Sequence, residues 1–441
     1  MEKIVSLCKR RGFIFPGSEI YGGLAGTFDF GHYGVALKNN IKNSWWKKFV
    51  DSRRDMYGMD AAILMRQEVW QATGHAEHFA DPMVECDKCH KKFREDQLTD
   101  LWAEKSRLSG KAIIFNREFC PDCGGKLSSP RQFNMMFQTK VGASEDSSAT
   151  SYLRPETAQG VFVNFKNTVD AFHPKLPFGI AQIGKAFRNE ITPRDFIFRQ
   201  REFEQMEIEY FVRSDDWEKH FTYFKDEMME WMDSVGIDMN KVHELEVADG
   251  DRAHYSKRTV DFEFDYPFGR KELFGLAYRT DFDLGVHKLE YIDEERGEKT
   301  TPHVIEPSFG LDRAFLALLI SAYTEDEKEG EVRPYLKFKP SIAPVICAVS
   351  PLLKNKPELV EYANTKVFAP LKTEFGRVAW DDNGNIGKRY RRQDEIGTPW
   401  CIVVDFDTLT DDSVTVRDRD TGEQERVKVS ELISYIKNKL N

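Results

Sequence analysis

Two charged segments near the middle of the chain combine residue types that could bind a nucleotide. The first reads FRNE at residues 187–190, and the chain returns through REFEQMEIEYF at residues 201–211. Residues two apart in a β-strand share a face, so Arg188 and Glu190 point the same way and Phe203 shares a face with carboxylates. A planar arginine fork suits a phosphate, and an aromatic ring suits a purine base. The two strands predict a nucleotide-binding hairpin, because the alternative of a solvated surface hairpin leaves like charges along one face unexplained.

The second segment reads EPSFGLDR at residues 306–313 and runs directly into an apolar stretch. That stretch predicts a buried helix opened by Gly310, with Arg313 in the first turn. The helix dipole disfavours a cation at this end, so we expect Arg313 to face an anionic or aromatic partner. The partner is either a bound ligand or, for structure alone, a neighbouring acid such as Asp312 or Glu306.

Four of the seven cysteines occur as two Cys-x2-Cys pairs, at Cys86 and Cys89 and at Cys120 and Cys123. Two such knuckles are typical of a tetrahedral zinc site that holds a small insertion together. The stretch between the pairs is longer than in the usual zinc ribbon, so four reduced cysteines without metal remain the alternative.

The elements that must position these residues divide the chain into two or three domains. The first part contains a helical pattern from about residue 35 to 50 and a strand at 260–266. Residues 324–340 are charged and contain prolines, which predicts a linker.

After residue 341 the pattern changes to that of a smaller domain. Short buried strands at 345–349 and 400–404 alternate with helical stretches, which predicts an α/β domain of about 100 residues. Within it, GKRYRR at residues 387–392 surrounds an aromatic ring with cations. This composition suits a phosphate track with a stacking platform. The alternative is a solvated loop whose cations pair with Asp394 and Glu395.

Composition limits the class of protein. The chain has 441 residues and a net charge of −10, which argues against a simple basic nucleic-acid-binding module. An odd number of cysteines fits a reducing cytosol better than a disulfide framework. The first residues lack a signal-peptide core, and no apolar run approaches the ~20 residues that span a bilayer.

The two charged segments resemble motifs 2 and 3 of the class II aminoacyl-tRNA synthetases, which bind ATP on an antiparallel sheet. From residue 3 to the C-terminus, the sequence more specifically resembles the bacterial glycyl-tRNA synthetases of the single-polypeptide, homodimeric type. The matching stretches are residues 12–23, 153–160, 187–210, 279–284, 306–313 and 387–399.

The resemblance implies an α+β fold for a cytoplasmic homodimer. Residues 1–335 would form the class II catalytic domain, an antiparallel sheet with flanking helices and a zinc-ribbon-like insertion at about 84–128. Residues 341–441 would form an α/β anticodon-binding domain.

The resemblance also assigns residues to ATP. Arg188, Glu190 and Arg313 are the expected catalytic residues, with Arg188 on the α-phosphate and adenine between Phe203 and Arg313. Glu272 is expected to bind magnesium. The full ATP-binding set is Arg188, Asn189, Glu190, Phe198, Arg199, Arg201, Phe203, Glu272, Leu273, Gly310 and Arg313.

Three further sets complete the expected site. Glu156, Glu207 and Glu306 hold the glycine ammonium, and Ser308 closes the pocket. The glycine set is Arg94, Glu156, Phe203, Glu204, Gln205, Glu207, Glu306, Ser308 and Gly310. The zinc set is Cys86, Cys89, Cys120 and Cys123, and the tRNA set is Lys388, Arg389, Arg391 and Arg392.

Two departures from the family pattern leave details open. His32-Tyr33 stands where Pro-Leu is usual before Gly34, which leaves the turn in the motif 1 segment and the dimer interface uncertain. Phe274 follows Leu273 where Glu or Trp is more usual.

The expected reaction is ATP-dependent attachment of glycine to tRNA(Gly). Two readings from other classes are a non-catalytic synthetase-like RNA-binding protein and an adenylating ligase that uses no tRNA. The intact Arg188, Phe203 and Arg313 set argues against the first, and the domain after residue 341 argues against the second.

Overall fold

A computed structural model describes residues 1–110, 115–143, 150–328 and 330–440. Among these residues, no helix is both long and apolar enough to cross a membrane. The α-helices are α1 (Glu2–Arg11), α2 (His32–Trp46), α3 (Gln67–Ala72), α4 (His75–His78), α5 (Leu98–Ser109), α6 (Ala158–Phe172), α7 (Trp217–Val235), α8 (Phe282–Val286), α9 (Leu311–Ala322), α10 (Pro357–Tyr362), α11 (Ala369–Phe375), α12 (Ile386–Ile396), α13 (Thr408–Asp411) and α14 (Leu432–Leu440).

The strands form two large sheets and several small ones. They are β1 (Ile14–Pro16), β2 (Phe28–Phe30), β3 (Met56–Met59), β4 (Leu64–Arg66), β5 (Ala80–Glu85), β6 (Lys92–Arg94), β7 (Arg131–Asn134), β8 (Gln138–Lys140), β9 (Thr150–Leu153), β10 (Phe178–Phe187), β11 (Glu202–Val212), β12 (Val242–Glu246), β13 (Arg258–Tyr266), β14 (Gly269–Thr280), β15 (Tyr291–Asp293), β16 (Glu298–Thr300), β17 (His303–Gly310), β18 (Tyr323–Lys328), β19 (Glu331–Leu336), β20 (Cys347–Pro351), β21 (Val378–Trp380), β22 (Trp400–Val404), β23 (Ser413–Asp418) and β24 (Gln424–Lys428).

The central sheet carries the predicted hairpin. Its order is β12-β13-β14-β17-β11-β10-β3, antiparallel except for the β10–β3 pair. Strands β10 and β11 pair along their whole length, with Lys185 opposite Glu204 and Gln182 opposite Glu207. The sheet with its flanking helices confirms the predicted α+β class.

The two faces of β11 have different neighbours because side chains alternate along a strand. Met206 and Ile208 enter the main hydrophobic core together with residues of α2, α7 and α9. The intervening positions, which include Glu207, face the other way. On that face, α6 and Phe211 form a smaller apolar cluster farther along the strand. The polar part of the face lies between this cluster and the start of α9.

The unusual residues of the motif 1 segment are accommodated without a break. Helix α2 begins at His32, three residues before the predicted start. A Cβ at Gly34 would lie 2.0 Å from the carbonyl oxygen of Phe13, so only glycine fits there. Phe274 is a core residue, with its ring 4.9 Å from that of Phe309 and 5.9 Å from that of Trp231.

The linker predicted at residues 324–340 is wrong. Strands β18 and β19 pair as an antiparallel hairpin over most of it. Arg333 of this hairpin is buried and donates to Asp326, to Asp394 at 3.1 Å and to the carbonyl oxygen of Arg419 at 2.9 Å. Arg333, which the sequence placed in a linker, thus binds residues of the C-terminal part of the chain.

The second large sheet has the order β21-β20-β22-β23-β24, with parallel pairing of β20 to β21 and β22. Buried apolar residues of α10, α11 and α14 cover it. The predicted α/β alternation is therefore confirmed. The basic segment at 387–392 lies in helix α12, where the side chain of Asn385 accepts a hydrogen bond from the amide of Lys388 at 2.9 Å.

Candidate active site

A cavity of about 470 Å³ opens on the polar face of the central sheet. Strands β11, β14 and β17 and the start of α9 form its walls, and Arg94 reaches it from the cysteine-bearing insertion. It collects most of the residues predicted to bind ATP or glycine. These are Arg94, Glu156, Arg188, Glu190, Phe198, Arg199, Phe203, Glu204, Gln205, Glu207, Glu272, Leu273, Glu306, Ser308, Gly310 and Arg313.

Arginines dominate one end of the cavity. Arg313 lies in the first turn of α9, as predicted, and its guanidinium is 3.2 Å from a carboxylate oxygen of Glu272. The same guanidinium lies 4.6 Å from the centre of the Phe198 ring. The positive charge of Arg313 lowers the pKa of Glu272 despite burial. An anion and an aromatic ring thus offset the unfavourable helix dipole.

Two more arginines face the same end. Arg199 is 3.3 Å from the carboxylate of Glu190. Arg188 donates from Nε to the carbonyl oxygen of Pro155 at 3.0 Å and lies 5.3 Å from the centre of the Phe203 ring. Phe203 therefore has Arg188 rather than Arg313 as its cationic neighbour. This end of the cavity suits an anion with an attached ring system.

Buried carboxylates dominate the other end. Glu207 accepts from Ser308 Oγ at 2.7 Å, from Gln205 at 3.0 Å and from Thr157. Burial and the neighbouring charge of Glu156 raise the pKa of Glu207. The carboxylates of Glu156 and Glu207 together offer several oxygen acceptors, which is what a small ammonium group needs.

Glu306 is held by an arginine that lies beneath the cavity. Nη1 of Arg279 is 2.8 Å from Glu306 Oε1, and its other nitrogens bind Asp283 at 2.8 and 3.0 Å. Burial raises the pKa of Glu306 to about 8 against the attraction of Arg279. A bound cation would favour the ionised form of this carboxyl group.

Glu209 continues the same face one step deeper. It is fully buried, and within the described residues neither of its carboxylate oxygens has a hydrogen-bond partner. Burial and the charge of Glu306 raise its pKa well above the usual range. Carboxylate oxygens of Glu207, Glu209 and Glu306 lie within 4.8 Å of one another. These three carboxyl groups form a buried cluster at the cavity, and a bound cation would favour their ionised forms.

Three predicted ligands have other structural roles. The side chain of Arg201 donates to the carbonyl oxygens of Ala25 and Glu190, and Asn189 binds Met135 through its backbone amide; neither lines the cavity. The carboxylate of Glu204 pairs with Lys38 at 2.5 Å and with Lys42 at 3.2 Å.

The insertion brings Arg94 to the cavity through a small sheet. Strand β5 pairs with β6 and β7, so this unit begins at about residue 80 and extends past the predicted end at 128. Arg94 ends β6, and its guanidinium is 2.6 Å from Asp81 and 2.7 Å from Asp96. These two carboxylates fix the orientation of the arginine.

The four predicted zinc ligands meet at the other end of the insertion. Sγ of Cys86 is 3.4 Å from Sγ of Cys123, and Sγ of Cys89 is 3.8 Å from that of Cys120. All four sulfur atoms lie within 4.8 Å of one another. A tetrahedron with Zn–S bonds of about 2.3 Å has sulfur atoms about 3.8 Å apart. The cluster has the shape of a closed zinc site.

The basic segment of α12 divides into exposed and buried residues. Lys388 is exposed, whereas Arg389 is 3% exposed and donates to the carbonyl oxygens of Pro351, Asp382 and Gly384. The guanidinium of Arg392 is 2.5 Å from Asp381. The predicted tRNA contact by Arg389 does not fit its burial, because its guanidinium is already used within the protein.

Sequence reasoning missed several residues behind the cavity. Arg279 and Asp283 were matched to the family without a role, although an arginine and a carboxylate four apart were a usable signal for an ion pair. Asp261, which lines the cavity, was also missed; burial and then the charge of Glu272 raise its pKa to about 7. No local signal marked Asp261, because it neighbours Glu272 only through strand pairing.

Comparisons with known proteins agree with this geometry. Residues 137–323 match the family "tRNA synthetase class II core domain (G, H, P, S and T)", and residues 346–439 match "Anticodon binding domain". Among solved structures, prolyl-tRNA synthetase from Cryptosporidium parvum, complexed with halofuginone and AMPPNP, has a TM-score of 0.68 at 15% identity. That match covers 99% of this chain and 74% of the other, and it shows the fold alone.

Curated relatives match over the full chain. Glycine–tRNA ligase from Lachnospira eligens is 49% identical over 100% of this chain and 98% of its own length. The corresponding ligases from Caldanaerobacter subterraneus and Bacillus cereus are each 47% identical over 100% of this chain, and over 98% and 99% of their own lengths. The protein is a class II aminoacyl-tRNA synthetase. Within that class, the chain belongs to the glycine–tRNA ligase family.

Proposed function

We propose that this protein joins glycine to tRNA(Gly) in two steps within the cavity. The carboxylate of glycine attacks the α-phosphorus of ATP, which forms glycyl-adenylate and releases pyrophosphate. The terminal ribose hydroxyl of the tRNA then takes the glycyl group, and AMP leaves. The observation that carries the proposal is the division of one cavity into an arginine end and a buried carboxylate end, which suits ATP beside an ammonium group.

Each part of the substrate pair has matching residues. Arg188 binds the α-phosphate, Arg199 faces the distal phosphates, and Phe198, Phe203 and Arg313 supply planar surfaces for adenine. Glu156, Glu207 and Glu306 receive the glycine ammonium, and Arg94 approaches from the insertion. Transfer of this kind depends on positioning and charge neutralisation more than on a protein base.

Magnesium fits the carboxylates beside Arg313. Glu272 and Asp261 both line the cavity, and the charge of Glu272 helps to raise the pKa of Asp261. Paired carboxylates near a triphosphate are the ligands that Mg²⁺ prefers. When bound there, the ion neutralises charge on the phosphates, while Arg188 and Arg199 orient them.

Glycine-dependent exchange of pyrophosphate into ATP tests the proposed first step, and the same assay with other amino acids tests its selectivity. Alanine and serine should give no exchange above background. Glycine has no side chain for the pocket to grip. Ser308, which donates to Glu207 at 2.7 Å, is proposed to fill the space that a β-carbon would need. Exclusion by clash can exceed the ~1–3 kcal/mol that one methylene is worth. Robust activation of alanine by the wild-type protein would contradict this pocket.

We propose that Cys86, Cys89, Cys120 and Cys123 hold one structural zinc ion. The sulfur–sulfur distances and the small apolar cluster around them support it. An insertion of this size gains much of its stability from such an ion. Its loss should loosen the small sheet that carries Arg94.

Metal analysis of the purified protein should give one zinc per chain. Cys89→Ser should lose the zinc and lower glycine-dependent exchange, because Arg94 loses its support. Cys8→Ala, at a buried cysteine outside the cluster, should retain the metal. A wild-type content below about a tenth of an equivalent would reject the site, since closed zinc sites bind tightly.

We propose that residues 1–335 form the catalytic domain and that residues 341–441 bind the anticodon region of tRNA. Lys388 is exposed on α12 and Arg391 is half-buried there, and the RNA contact is proposed to centre on Lys388. The protein is further proposed to be a cytoplasmic homodimer, as the resemblance implies. Light scattering on the purified chain would test the dimer.

Lys388→Ala should flatten the salt dependence of tRNA binding. Each phosphate contact steepens the log–log slope by about 0.7–0.9, so the slope should fall by that amount. Lys219→Ala, at an exposed lysine on α7, is the matched control and should leave the slope unchanged. An unchanged slope for Lys388→Ala would move the RNA contact away from α12.

A further inference from the structure

A chain of polar groups stands behind Glu156, the cavity carboxylate nearest the small elements α3 and α4. Oε2 of Glu156 is 3.4 Å from Nε2 of His75. Nδ1 of the same ring is 2.7 Å from Oγ1 of Thr73. His75 is 8% exposed and does not line the cavity, so it acts on any ligand only through Glu156.

The turn between α3 and α4 sets this arrangement. Gly74, with φ of +79°, separates Thr73 from His75 and lets both side chains meet. The imidazole ring packs against Trp70 at a centroid distance of 5.5 Å and against Phe79 at 5.7 Å. Packing on two sides holds the ring in one orientation.

The hydrogen bonds indicate where the protons are. The hydroxyl of Thr73 donates to the carbonyl oxygen of Val69 at 3.1 Å, so its oxygen is free to accept from Nδ1 of His75. The other ring nitrogen faces a carboxylate. Both ring nitrogens of His75 thus face oxygen atoms that can accept a hydrogen bond.

The surrounding charges act on the same carboxylate. His75, Arg279 and Arg188 all favour the ionised form of Glu156, and together they lower its pKa although burial opposes this. Burial, and then the charge of His75, lower the pKa of the nearby His254. Burial raises the pKa of Glu207 and of Glu306, so Glu156 is the one of these three carboxylates whose pKa is lowered.

We propose that His75 is a positioning residue for amino-group recognition, which directs its Nε2–H at Glu156 and holds that carboxylate ionised and aimed at the substrate ammonium. The proposal rests on the proposed function, because it assumes that the carboxylate end binds glycine. Gln159 donates to the other oxygen of Glu156 at 3.3 Å and to Asp283 at 2.8 Å. Glu156 is thus held at both oxygens, by the amide of Gln159 on one side and by the imidazole of His75 on the other.

Steady-state pyrophosphate exchange with the full-length protein tests this role. His75→Phe keeps the ring shape without a donor, and it should raise the KM for glycine by about tenfold to a hundredfold while the KM for ATP stays within about twofold. His75→Gln restores an N–H near the carboxylate without the charge and should recover part of the loss. In a Glu156→Gln background, His75→Phe should add little.

Two further variants separate the role from folding. Thr73→Val keeps the side-chain shape but removes the hydroxyl, and with it the acceptor on Nδ1 and the bond to Val69. It should also raise the KM for glycine, whereas Trp70→Phe changes ring packing and should not. The proposal is overturned if His75→Phe leaves the KM for glycine within about twofold, if both KM values rise together, or if His75→Gln is no better than His75→Phe. If the wild-type protein lacks glycine-dependent exchange, the proposed function itself fails, which is a different outcome.

Discussion

Replacing Arg313 by alanine should lower glycine-dependent pyrophosphate exchange by about 10²–10³, since one preorganised charge contact supplies ~2.7–4 kcal/mol of transition-state stabilisation. The side chain lines the cavity and is fixed by Glu272 and by the ring of Phe198. Its removal takes away a cation from the nucleotide and leaves Glu272 without its partner. Arg188→Ala should give a loss of the same order.

Arg258→Ala is a matched control for Arg313→Ala. Arg258 also pairs with a glutamate, Glu246 at 2.9 Å, and lies 4.5 Å from the centre of a phenylalanine ring, that of Phe221. It does not line the cavity, so exchange should remain near the wild-type rate. Thermal unfolding should show that the folds of both variants persist. Near-normal exchange in Arg313→Ala would remove this residue from the nucleotide site.

Glu306→Gln should abolish measurable glycine binding while ATP binding is largely kept. Truncating one partner of a buried charge pair costs ~2–5 kcal/mol, which is a loss of about thirtyfold or more in affinity. Glutamine keeps the shape and can still face Arg279, but it offers the ammonium a neutral oxygen. Calorimetric titration of each ligand separately would measure the two affinities.

The neighbouring ion pairs make Glu306→Gln interpretable. Arg279 retains its two bonds to Asp283, so the buried guanidinium keeps a counter-ion. Glu204→Gln offers a comparison at a carboxylate that is paired with Lys38 and Lys42, and it should affect glycine affinity much less. Unchanged glycine affinity in Glu306→Gln would place the ammonium elsewhere.

The parts of the site that follow a regular period could be predicted from the sequence. The β10–β11 hairpin and the helix that begins just before Arg313 follow from strand alternation and from an apolar stretch after a glycine. Placement of the arginines relative to the rings could not be predicted in this way. Phe198 lies in the turn between the strands, and its contact with Arg313 depends on the path of that turn.

Charged residues were the main source of error. Residues 324–340 were predicted to form a linker and Arg389 to contact tRNA, because charge usually marks exposure. In the structure, Arg333 meets Asp394 across 61 positions of sequence, and Arg389 meets main-chain carbonyl groups. Partners so distant in sequence, or supplied by the backbone, leave no local pattern. The same reason hid the contact between His75 and Glu156.

The burial of Arg333 has a mechanical consequence. Asp394 on α12 accepts from Arg333 and from Arg417, and on the same helix Glu395 is bound by Arg10 and Arg11 of α1. Ion pairs thus connect helix α12 to two separate elements outside the C-terminal sheet, β19 and α1. These contacts restrict how the C-terminal unit can move relative to the rest of the chain. An RNA that touches both units therefore meets two contact surfaces whose separation is already set by the folded protein. Binding does not have to bear the entropy cost of fixing that separation. Only an RNA whose two ends match that separation gains the affinity of both contacts at once.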